Sequence, residues 1–419
     1  MAQLSDDCFA FGGALMRADE ALRVLAERVT PQAGIETAPL RALRGRILAD
    51  DIVAPRAVPP HDNAAVDGYA VHHADLDPAG ETRLPVQGRA AAGHPLAGPS
   101  PRGRAVRVFT GAAMPEGPDS VFMQEDVRLD GDVAIFPPGL KKGANRRKAG
   151  EDVEAGKTIL AAGHRLRAQD VGLIASVGLA AARVRAPLKV AVFSTGDELR
   201  EPGTQAPKGA VYDANRFALM ALLEQMGAVV TDVGILPDRR EIVTRALAEA
   251  ADGHDALVTS GGMSTGEEDH VRAAVAAQGG IDFWRLAIRP GRPVALGRVK
   301  GKAFVGLPGN PVAMMVTFLR FARPVLLRLA GAADAPALSF RVRSEAPIKK
   351  KIGRREWLRA RLIPAADGGA PFARRFPRDG AGILTSLVES DGLIELAEEV
   401  GEVPAGAAVD FLAFSELAA

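Results

Sequence analysis

The chain has 419 residues, of which 47% are apolar, and this is too long for one ordinary hydrophobic core, so we predict two to four domains. Its 52 basic and 51 acidic side chains nearly balance, which argues against a polyanionic partner such as duplex nucleic acid. The single cysteine, Cys8, excludes an intrachain disulfide and an all-cysteine metal site.

The charge and hydropathy of the sequence also show no pattern that is typical of a targeting signal. Asp6 and Asp7 stand where a secretory signal would carry positive charge, and the longest apolar passages are far too short to cross a membrane. We therefore expect a cytoplasmic protein with no membrane partner.

The first elements in chain order are helical. Apolar spacing predicts an amphipathic helix over Asp19 to Val29 and a second helix over Leu40 to Asp51. The prolines of Ile52 to Pro60 exclude a helix there and predict extended chain.

A polar passage, His61 to Ala70, follows this extended segment. Its residues Asp62, Asn63 and Asp67 are of the type that caps loop backbone groups, but they could also be ligands, and the passage alone leaves both interpretations open. From Leu84 to Val153, short β-type runs between glycines and prolines predict a small β domain.

From Leu188 onward, strands and helices alternate. Predicted strands end at Phe193, Leu236 and Ser260, and predicted helices lie between them. This alternation is typical of a parallel sheet with crossover helices, which binds ligands beyond the carboxyl ends of its strands. Three loops should therefore converge: Ser194 to Glu198, Ser260 to Asp269, and Gly306 to Pro311.

The second of these loops has the composition of a phosphate-binding turn. Gly261 and Gly262 allow backbone N–H groups to approach an anion, and a helix begins just beyond. However, Glu267, Glu268 and Asp269 place negative charge at the same point. Either they stabilise the start of the helix, or they hold a metal ion between themselves and the anion.

Basic residues and a final β domain complete the pattern. Arg289 and Arg292 flank a prolyl turn and could clamp an oxyanion through paired hydrogen bonds. Beyond a linker of small residues, Phe340 to Val409 shows short strands and turns, which predicts a small β barrel or sandwich with Trp357 in its core.

Together these motifs resemble the molybdenum insertase family, the MoeA-type molybdopterin molybdotransferases that include the C-terminal domain of gephyrin. The matching motifs occur in the order of the family: Asp62 to Ala70, Thr110 to Ala112, Gly150 to Asp152, Ser194 to Leu199, Ser260 to Gly266 with Asp269, Arg289 to Pro293, and Gly306 to Pro311.

The resemblance implies a multidomain fold of α/β and β parts. It implies an elongated helical domain over 1–54 with 154–187, an inserted β domain over 55–153, a three-layer α/β domain with a mostly parallel sheet over 188–331, and a C-terminal β barrel over 337–419. It also implies a homodimer whose cleft lies between the α/β domain of one subunit and the β domain of the other.

The implied reaction inserts molybdenum from molybdate into adenylylated molybdopterin and releases AMP, with Mg²⁺ assisting. The catalytic residues would be Asp67, Thr110, Asp152, Glu198 and Asp269, and the Mg²⁺ ligands would be Asp197, Glu198 and Asp269. The substrate-binding residues would be Ser194, Thr195, Gly196, Ser260, Gly261, Gly262, Ser264, Arg289, Arg292, Pro308, Gly309 and Asn310. A metal ion would reconcile the acidic run with a bound phosphate, because it neutralises both.

Some residues depart from the family pattern. Ala313 stands where the family usually has serine, and Arg289 and Arg292 stand where lysines are common. Two other functions stay open: adenylylation of molybdopterin by ATP, and a scaffold of the same fold without catalysis. A molybdopterin adenylyltransferase is the partner that the insertase function implies.

Overall fold

The structure is a computed structural model that describes residues 15–262, 270–333 and 337–418. Its α-helices are α1 (Ala18–Arg28), α2 (Ala168–Ser176), α3 (Ala214–Gln225), α4 (Arg240–Gly253), α5 (His270–Gln278), α6 (Pro311–Thr317), α7 (Arg323–Leu329), α8 (Thr385–Val388) and α9 (Phe414–Ala418), with a π-helical turn at Phe318–Ala322. Within these described ranges, no helix combines the length and apolar composition needed to cross a membrane.

The strands of the N-terminal half are β1 (Ile35–Pro39), β2 (Ile52–Val53), β3 (Asn63–Ala64), β4 (Gly68–Val71), β5 (Thr82–Ala90), β6 (Ala105–Val108), β7 (Ser120–Met123), β8 (Arg128–Asp130), β9 (Val133–Phe136), β10 (Arg146–Arg147), β11 (Thr158–Leu160) and β12 (Ala181–Arg185). Those of the C-terminal half are β13 (Lys189–Thr195), β14 (Leu199–Arg200), β15 (Val211–Tyr212), β16 (Val229–Leu236), β17 (Ala256–Ser260), β18 (Gly279–Arg285), β19 (Ile288–Arg289), β20 (Pro293–Val299), β21 (Lys302–Leu307), β22 (Phe340–Ser344), β23 (Ile348–Lys349), β24 (Arg355–Ile363), β25 (Phe372–Arg375), β26 (Gly392–Leu396), β27 (Glu402–Val403) and β28 (Ala408–Ala413).

The α/β domain is built on a six-stranded sheet of order β16-β13-β17-β21-β20-β18. Strands β16, β13, β17 and β21 are parallel, whereas β20 and β18 form an antiparallel edge. Both faces are covered, which explains why its strands are apolar at consecutive positions. Val190 and Val192 pack with α3 and α6 on one face, while Ala191 and Phe193 pack with α4 and α5 on the other. The predicted three-layer arrangement is confirmed.

The long helical segment after β21 changes pitch in the middle. Helices α6 and α7 are joined by the π-helical turn, which carries Arg320. The guanidinium of Arg320 lies 5.7 Å from the centroid of the Trp357 ring and forms an ion pair with Glu395 at 3.2 Å. The segment thus docks the C-terminal β domain onto the α/β domain, and the predicted burial of Trp357 is confirmed at 1% exposure.

The C-terminal β domain is a closed barrel. Strands follow the order β24-β25-β22-β28-β26, and β26 pairs again with β24. The predicted barrel is therefore confirmed, with its own apolar core that includes Leu358, Ile394 and Phe411. The short helix α8 lies between β25 and β26 in the chain, and no helix was predicted there.

The N-terminal half contains a six-stranded sheet of order β7-β4-β6-β5-β9-β8, which we call the β domain. A second part combines helix α2 with the strand pairs β1–β12 and β2–β11. Here the prediction of a helix over Leu40 to Asp51 is wrong: only Leu40–Ala42 is helical, as a 3-10 turn. Gly45 has a φ of +79°, which an α-helix does not allow, and Leu48 is bridged to Val184 instead. The boundaries given above for the four domains stay a prediction.

Candidate functional site

Three strand ends meet at one edge of the α/β sheet. In the parallel register Ser194 stands beside Ser260, and Ser260 stands beside Leu307, so the loops after β13, β17 and β21 leave the sheet side by side. The convergence predicted for these loops is confirmed for their described residues. Ser264, Glu267, Glu268 and Asp269 lie outside the described residues.

Buried hydroxyl groups underlie this edge. Ser194 and Thr195 are only 1% and 4% exposed. Neither Ser194 Oγ nor Thr195 Oγ1 has a hydrogen-bond partner within the described ranges. A buried hydroxyl without a partner is unfavourable by about 1–3 kcal/mol, so these two groups are available to a ligand at little further cost.

The two glycines after β17 are required by the local geometry. Gly261 and Gly262 have φ values of +92° and +65°, and a β-carbon on Gly262 would lie 2.6 Å from both Thr195 Oγ1 and Val271 Cγ2. No other residue fits between the end of β13 and the start of α5 without a shift. The glycines therefore bring backbone directly against the buried hydroxyls of Ser194, Thr195 and Ser260, which we call the hydroxyl edge.

Asn215 links these loops, and the sequence analysis missed it. Its Nδ2 donates to Ser260 Oγ at 2.8 Å and to the Gly309 carbonyl at 2.7 Å, while Ser260 Oγ donates to the Pro308 carbonyl at 3.1 Å. The only signal in the sequence was its place two residues after Asp213, which caps α3 by accepting from Arg216 N.

The acidic residues Asp197 and Glu198 lie on the loop that follows β13. Both are exposed, and Leu199 N donates to the Gly196 carbonyl to close a tight turn. A β-carbon on Gly196 would lie 2.6 Å from Glu198 Oε2, so the Glu198 carboxylate folds back over that glycine. The turn presents two carboxylates at the strand ends, and such exposed oxygen donors fit the preference of Mg²⁺ for one or two protein carboxylates together with phosphate oxygens.

A buried arginine fixes this acidic loop. Arg216 is 1% exposed and forms ion pairs with Asp213 at 3.0 Å, with Glu201 at 2.5 Å, and with Asp232. Burial opposes its charge, but the hydrogen bonds to the three carboxylates outweigh burial and raise its pKa. Arg216 thereby ties the segment after Glu198 to α3 and β16.

The prolyl turn with the two arginines packs onto helix α6. Gly291 has a φ of +85°, and a β-carbon there would lie 3.4 Å from Ala313 Cβ and 2.6 Å from Thr317 Cγ2. The side chain of Ala313 is thus buried under this turn, at 3% exposure. Arg292 is exposed, whereas Arg289 is turned toward the barrel.

The barrel contributes further arginines, which the sequence analysis did not assign to the site. Arg289 forms ion pairs with Glu356 at 3.6 Å and with Asp379 at 3.4 Å, and Asp379 also pairs with Arg375. Arg359 is 6% exposed and donates to Ser386 Oγ at 2.9 Å.

Around Asp379, arginine side chains outnumber carboxylates, so positive charge exceeds negative charge. Burial raises the pKa of Asp379, but the hydrogen bond and charge of Arg375, with the charges of Arg289 and Arg359, outweigh burial and lower it. Burial lowers the pKa of Arg359, and the neighbouring arginines add to this effect. We call Arg289, Arg359 and Arg375 with Asp379 the arginine cluster.

The predicted residues of the β domain form a second group. Thr110 donates to Asp67 Oδ1 twice, from its backbone N at 2.8 Å and from Oγ1 at 2.7 Å, and these bonds lower the pKa of Asp67. Asp152 is exposed on a neighbouring loop, where its backbone N donates to the Val58 carbonyl. Asp62 caps the same loop by accepting from Ala149 N at 2.8 Å, which agrees with the capping interpretation of that aspartate.

Comparison with known families covers nearly the whole chain. Residues 16–178 match the MoeA N-terminal region (domain I and II), residues 191–328 match a probable molybdopterin binding domain, and residues 341–414 match the MoeA C-terminal region (domain IV).

Individual proteins and structures agree with this result. A molybdopterin molybdenumtransferase of Haemophilus influenzae is 36% identical, covering 96% of this chain and all of that protein. Molybdopterin molybdenumtransferase 2 of Mycobacterium tuberculosis is 33% identical over 92% of this chain and 96% of that protein. The crystal structure of a molybdopterin biosynthesis MoeA protein from Pyrococcus horikoshii superposes with a TM-score of 0.83 at 29% identity, covering 96% of this chain and 100% of that one.

Proposed function

Because the chain belongs to the MoeA family of molybdopterin molybdenumtransferases, which insert molybdenum during molybdenum cofactor biosynthesis, we propose that its pterin substrate is adenylylated molybdopterin and that AMP is released. Membership makes it a transferase acting on molybdopterin. The adenylyl group, the assistance of Mg²⁺, and the residue roles given below are the proposed parts.

The observation that carries the proposal is the hydroxyl edge with its two glycines. Ser194, Thr195 and Ser260 lie under the backbone of Gly261 and Gly262, whose positive φ values favour glycine, and the pyrophosphate of an adenylylated pterin would lie there. The hydroxyls of Ser194 and Thr195, which have no partner among the described residues, would donate to its oxygens. Backbone N–H groups at such a turn add a further favourable field for the anion.

Gly196, Pro308, Gly309 and Asn310 support this edge in the proposal. The Pro308 and Gly309 carbonyls are held by Ser260 and Asn215, so the loop keeps its shape when the ligand leaves. Preformed contacts of this kind reduce the loss of entropy on binding.

Asp197 and Glu198 are the described residues that would hold Mg²⁺, together with Asp269 from outside the described ranges. When bound, the metal ion would neutralise charge on the phosphate oxygens. Within the chain, the Glu198 carboxylate folds back over Gly196, and Arg216 ties Glu201, three residues later, to α3 and β16.

Molybdate is a tetrahedral dianion, and the arginine cluster with Arg292 is the end of the site that suits it. Guanidinium groups bind such oxyanions by paired hydrogen bonds. The hydroxyl of Ser386, which is bonded to Arg359, lies at the same end. In this proposal Ser264 also faces the oxyanion, and the hydroxyl that Ala313 lacks is not needed there.

We further propose that the protein is a homodimer, since the bonds of Asp67 and Thr110 stay within the β domain. In the dimer, Asp67, Thr110 and Asp152 of one subunit would face the α/β loops of the other. The carboxylate of Asp67, whose pKa is lowered, would stay ionised and would orient the attacking water by accepting a hydrogen bond from it. A molybdopterin adenylyltransferase would supply the substrate and is the proposed partner, and a cytoplasmic location stays part of the proposal.

The test supplies purified protein with adenylylated molybdopterin, molybdate and Mg²⁺, and measures AMP by chromatography and active cofactor by reconstitution of a cofactor-free molybdoenzyme. We expect both products, and AMP release should need Mg²⁺. Neither product would appear if the chain were a scaffold without catalysis. Pyrophosphate release from ATP in the presence of molybdopterin would instead indicate adenylylation.

A further inference from the structure

A stack of cationic and aromatic side chains lies beside Asp67 in the β domain. The guanidiniums of Arg89 and Arg107 lie 4.6 Å and 4.8 Å from the centroid of the Phe109 ring, and Arg107 also lies 4.9 Å from the centroid of the Tyr69 ring. We call these four residues the arginine–aromatic stack. Neither the family motifs nor the predicted site residues include Arg89 or Phe109.

The sheet explains why these residues meet. Arg89 is the register partner of Arg107 in the parallel pair β5–β6, and Tyr69 is the partner of Arg107 in the antiparallel pair β4–β6. Register partners point to the same face of a sheet, and Phe109 follows Arg107 by two residues, so all four share that face.

The same strand register places the stack next to the Asp67–Thr110 pair. Asp67 precedes Tyr69 by two residues, and Thr110 follows Phe109, so the stack ends where Thr110 donates to Asp67. The charge of Arg107 is one of the causes that lower the pKa of Asp67. The stack therefore runs from the strand that follows the proposed catalytic carboxylate, across β6, to Arg89 on β5.

The two arginines of the stack differ in what they can do. Arg107 is half-buried between two rings and donates to the Gly68 carbonyl and to Gln124 Oε1, so it is held in place. Arg89 is exposed, with Phe109 against its guanidinium on one side. Its other face is a flat, cationic surface open to solvent.

We propose that Arg89 is a substrate-binding residue, whose guanidinium stacks on a planar nitrogen heterocycle and whose N–H edge reaches the attached phosphate. Guanidinium groups stack on aromatic rings and bind phosphate in the plane of the group, so one arginine can make both contacts. This inference rests on the proposed function, because adenylylated molybdopterin carries such a ring at each end, adenine and pterin, each joined to phosphate.

Binding of AMP and of molybdopterin, each measured separately by anaerobic calorimetry, tests this inference and distinguishes the two rings. We expect Arg89→Ala to weaken one of the two ligands about tenfold. Arg89→Lys should be nearly as weak, because lysine keeps the charge but has no planar face. The ligand that loses affinity identifies the ring.

Arg83→Ala is the matched control, since Arg83 is an exposed arginine on the same strand whose partner is Asp130. Both ligands should bind this variant as they bind the wild type. Unchanged affinity of Arg89→Ala for both ligands would overturn the inference, as would full affinity of Arg89→Lys, which would show that charge alone suffices. If the wild type itself bound neither ligand and released no AMP, the proposed function would fail instead.

Discussion

The α/β loops and the β-domain loops hold their functional groups in different ways. In the α/β domain the anchors are buried: Arg216, the hydroxyls under the edge, and glycine backbone at which any side chain would be strained. In the β domain the anchors are near the surface, and Asp67 is held mainly by Thr110. Changes to the first group should therefore cost stability as well as activity, whereas changes to the second should alter activity with little effect on folding.

The largest effect is expected from Arg216→Met. This change leaves Asp213, Asp232 and Glu201 without their shared partner, and loss of one member of a buried ion pair costs about 3–5 kcal/mol. Denaturant unfolding should show the loss. Arg128→Met, at an exposed arginine paired with Glu81, is the control and should change the free energy of unfolding by less than about 1 kcal/mol. Equal stabilities would contradict the role of Arg216 as a buried anchor.

Gly262→Ala comes next. The left-handed backbone and the contacts of the new methyl group with Thr195 and Val271 should cost about 2–3 kcal/mol, and AMP release should fall with it. Gly253→Ala at the end of α4, where a β-carbon meets open space, should be neutral or slightly stabilising. If Gly262→Ala kept normal stability and turnover, the close packing of Gly262 against Thr195 and Val271 would not constrain this loop.

Thr110→Val is expected to change activity more than stability. Asp67 has a lowered pKa in the folded protein, so its contribution to stability is present above the unfolded pKa and is lost as pH falls through the folded value. Removing the hydroxyl bond raises the folded pKa, so the acidic limb of the pH–rate profile should move to higher pH. Thr110→Ser keeps the hydroxyl and should keep the wild-type profile. A thermal shift as large as that of Gly262→Ala would break the contrast between the two regions.

The smallest effect on activity is expected from Ala313→Ser. Ala313 is buried under Gly291, and a hydroxyl there costs at most about 1–3 kcal/mol of stability. Because Arg359 and Ser386 already lie at the proposed oxyanion end, the KM for molybdate should change less than about threefold. A much lower KM would show that the oxyanion lies nearer α6 than we propose.

Local patterns in the sequence were sufficient to predict much of this architecture. The alternation of strands and helices placed the three loops at one edge of the sheet, where the structure has them. The helix predicted over Leu40 to Asp51 failed because pairing with a distant strand outweighed local propensity.

The parts of the site that sequence reasoning missed depend on distant contacts. Asn215 bonds to residues 45 and 94 positions away, and Arg359 reaches the site only because the barrel docks on α6. Nothing in the local sequence around Arg89 indicates that Phe109 will cover it. Motifs identify loops, but they do not show which side chains from other elements complete them.

The bond from Val312 N to the Ala381 carbonyl, at 2.9 Å, has a consequence for how the protein matures. Val312 is in the first turn of α6, and its N–H would otherwise be free to attract an anion. Its partner is 69 positions later in the chain, and contacts over such distances form late in folding. During synthesis, this end of the candidate site should therefore be completed only after the barrel has emerged, and until then the Val312 N–H lacks the partner that it has in the finished fold.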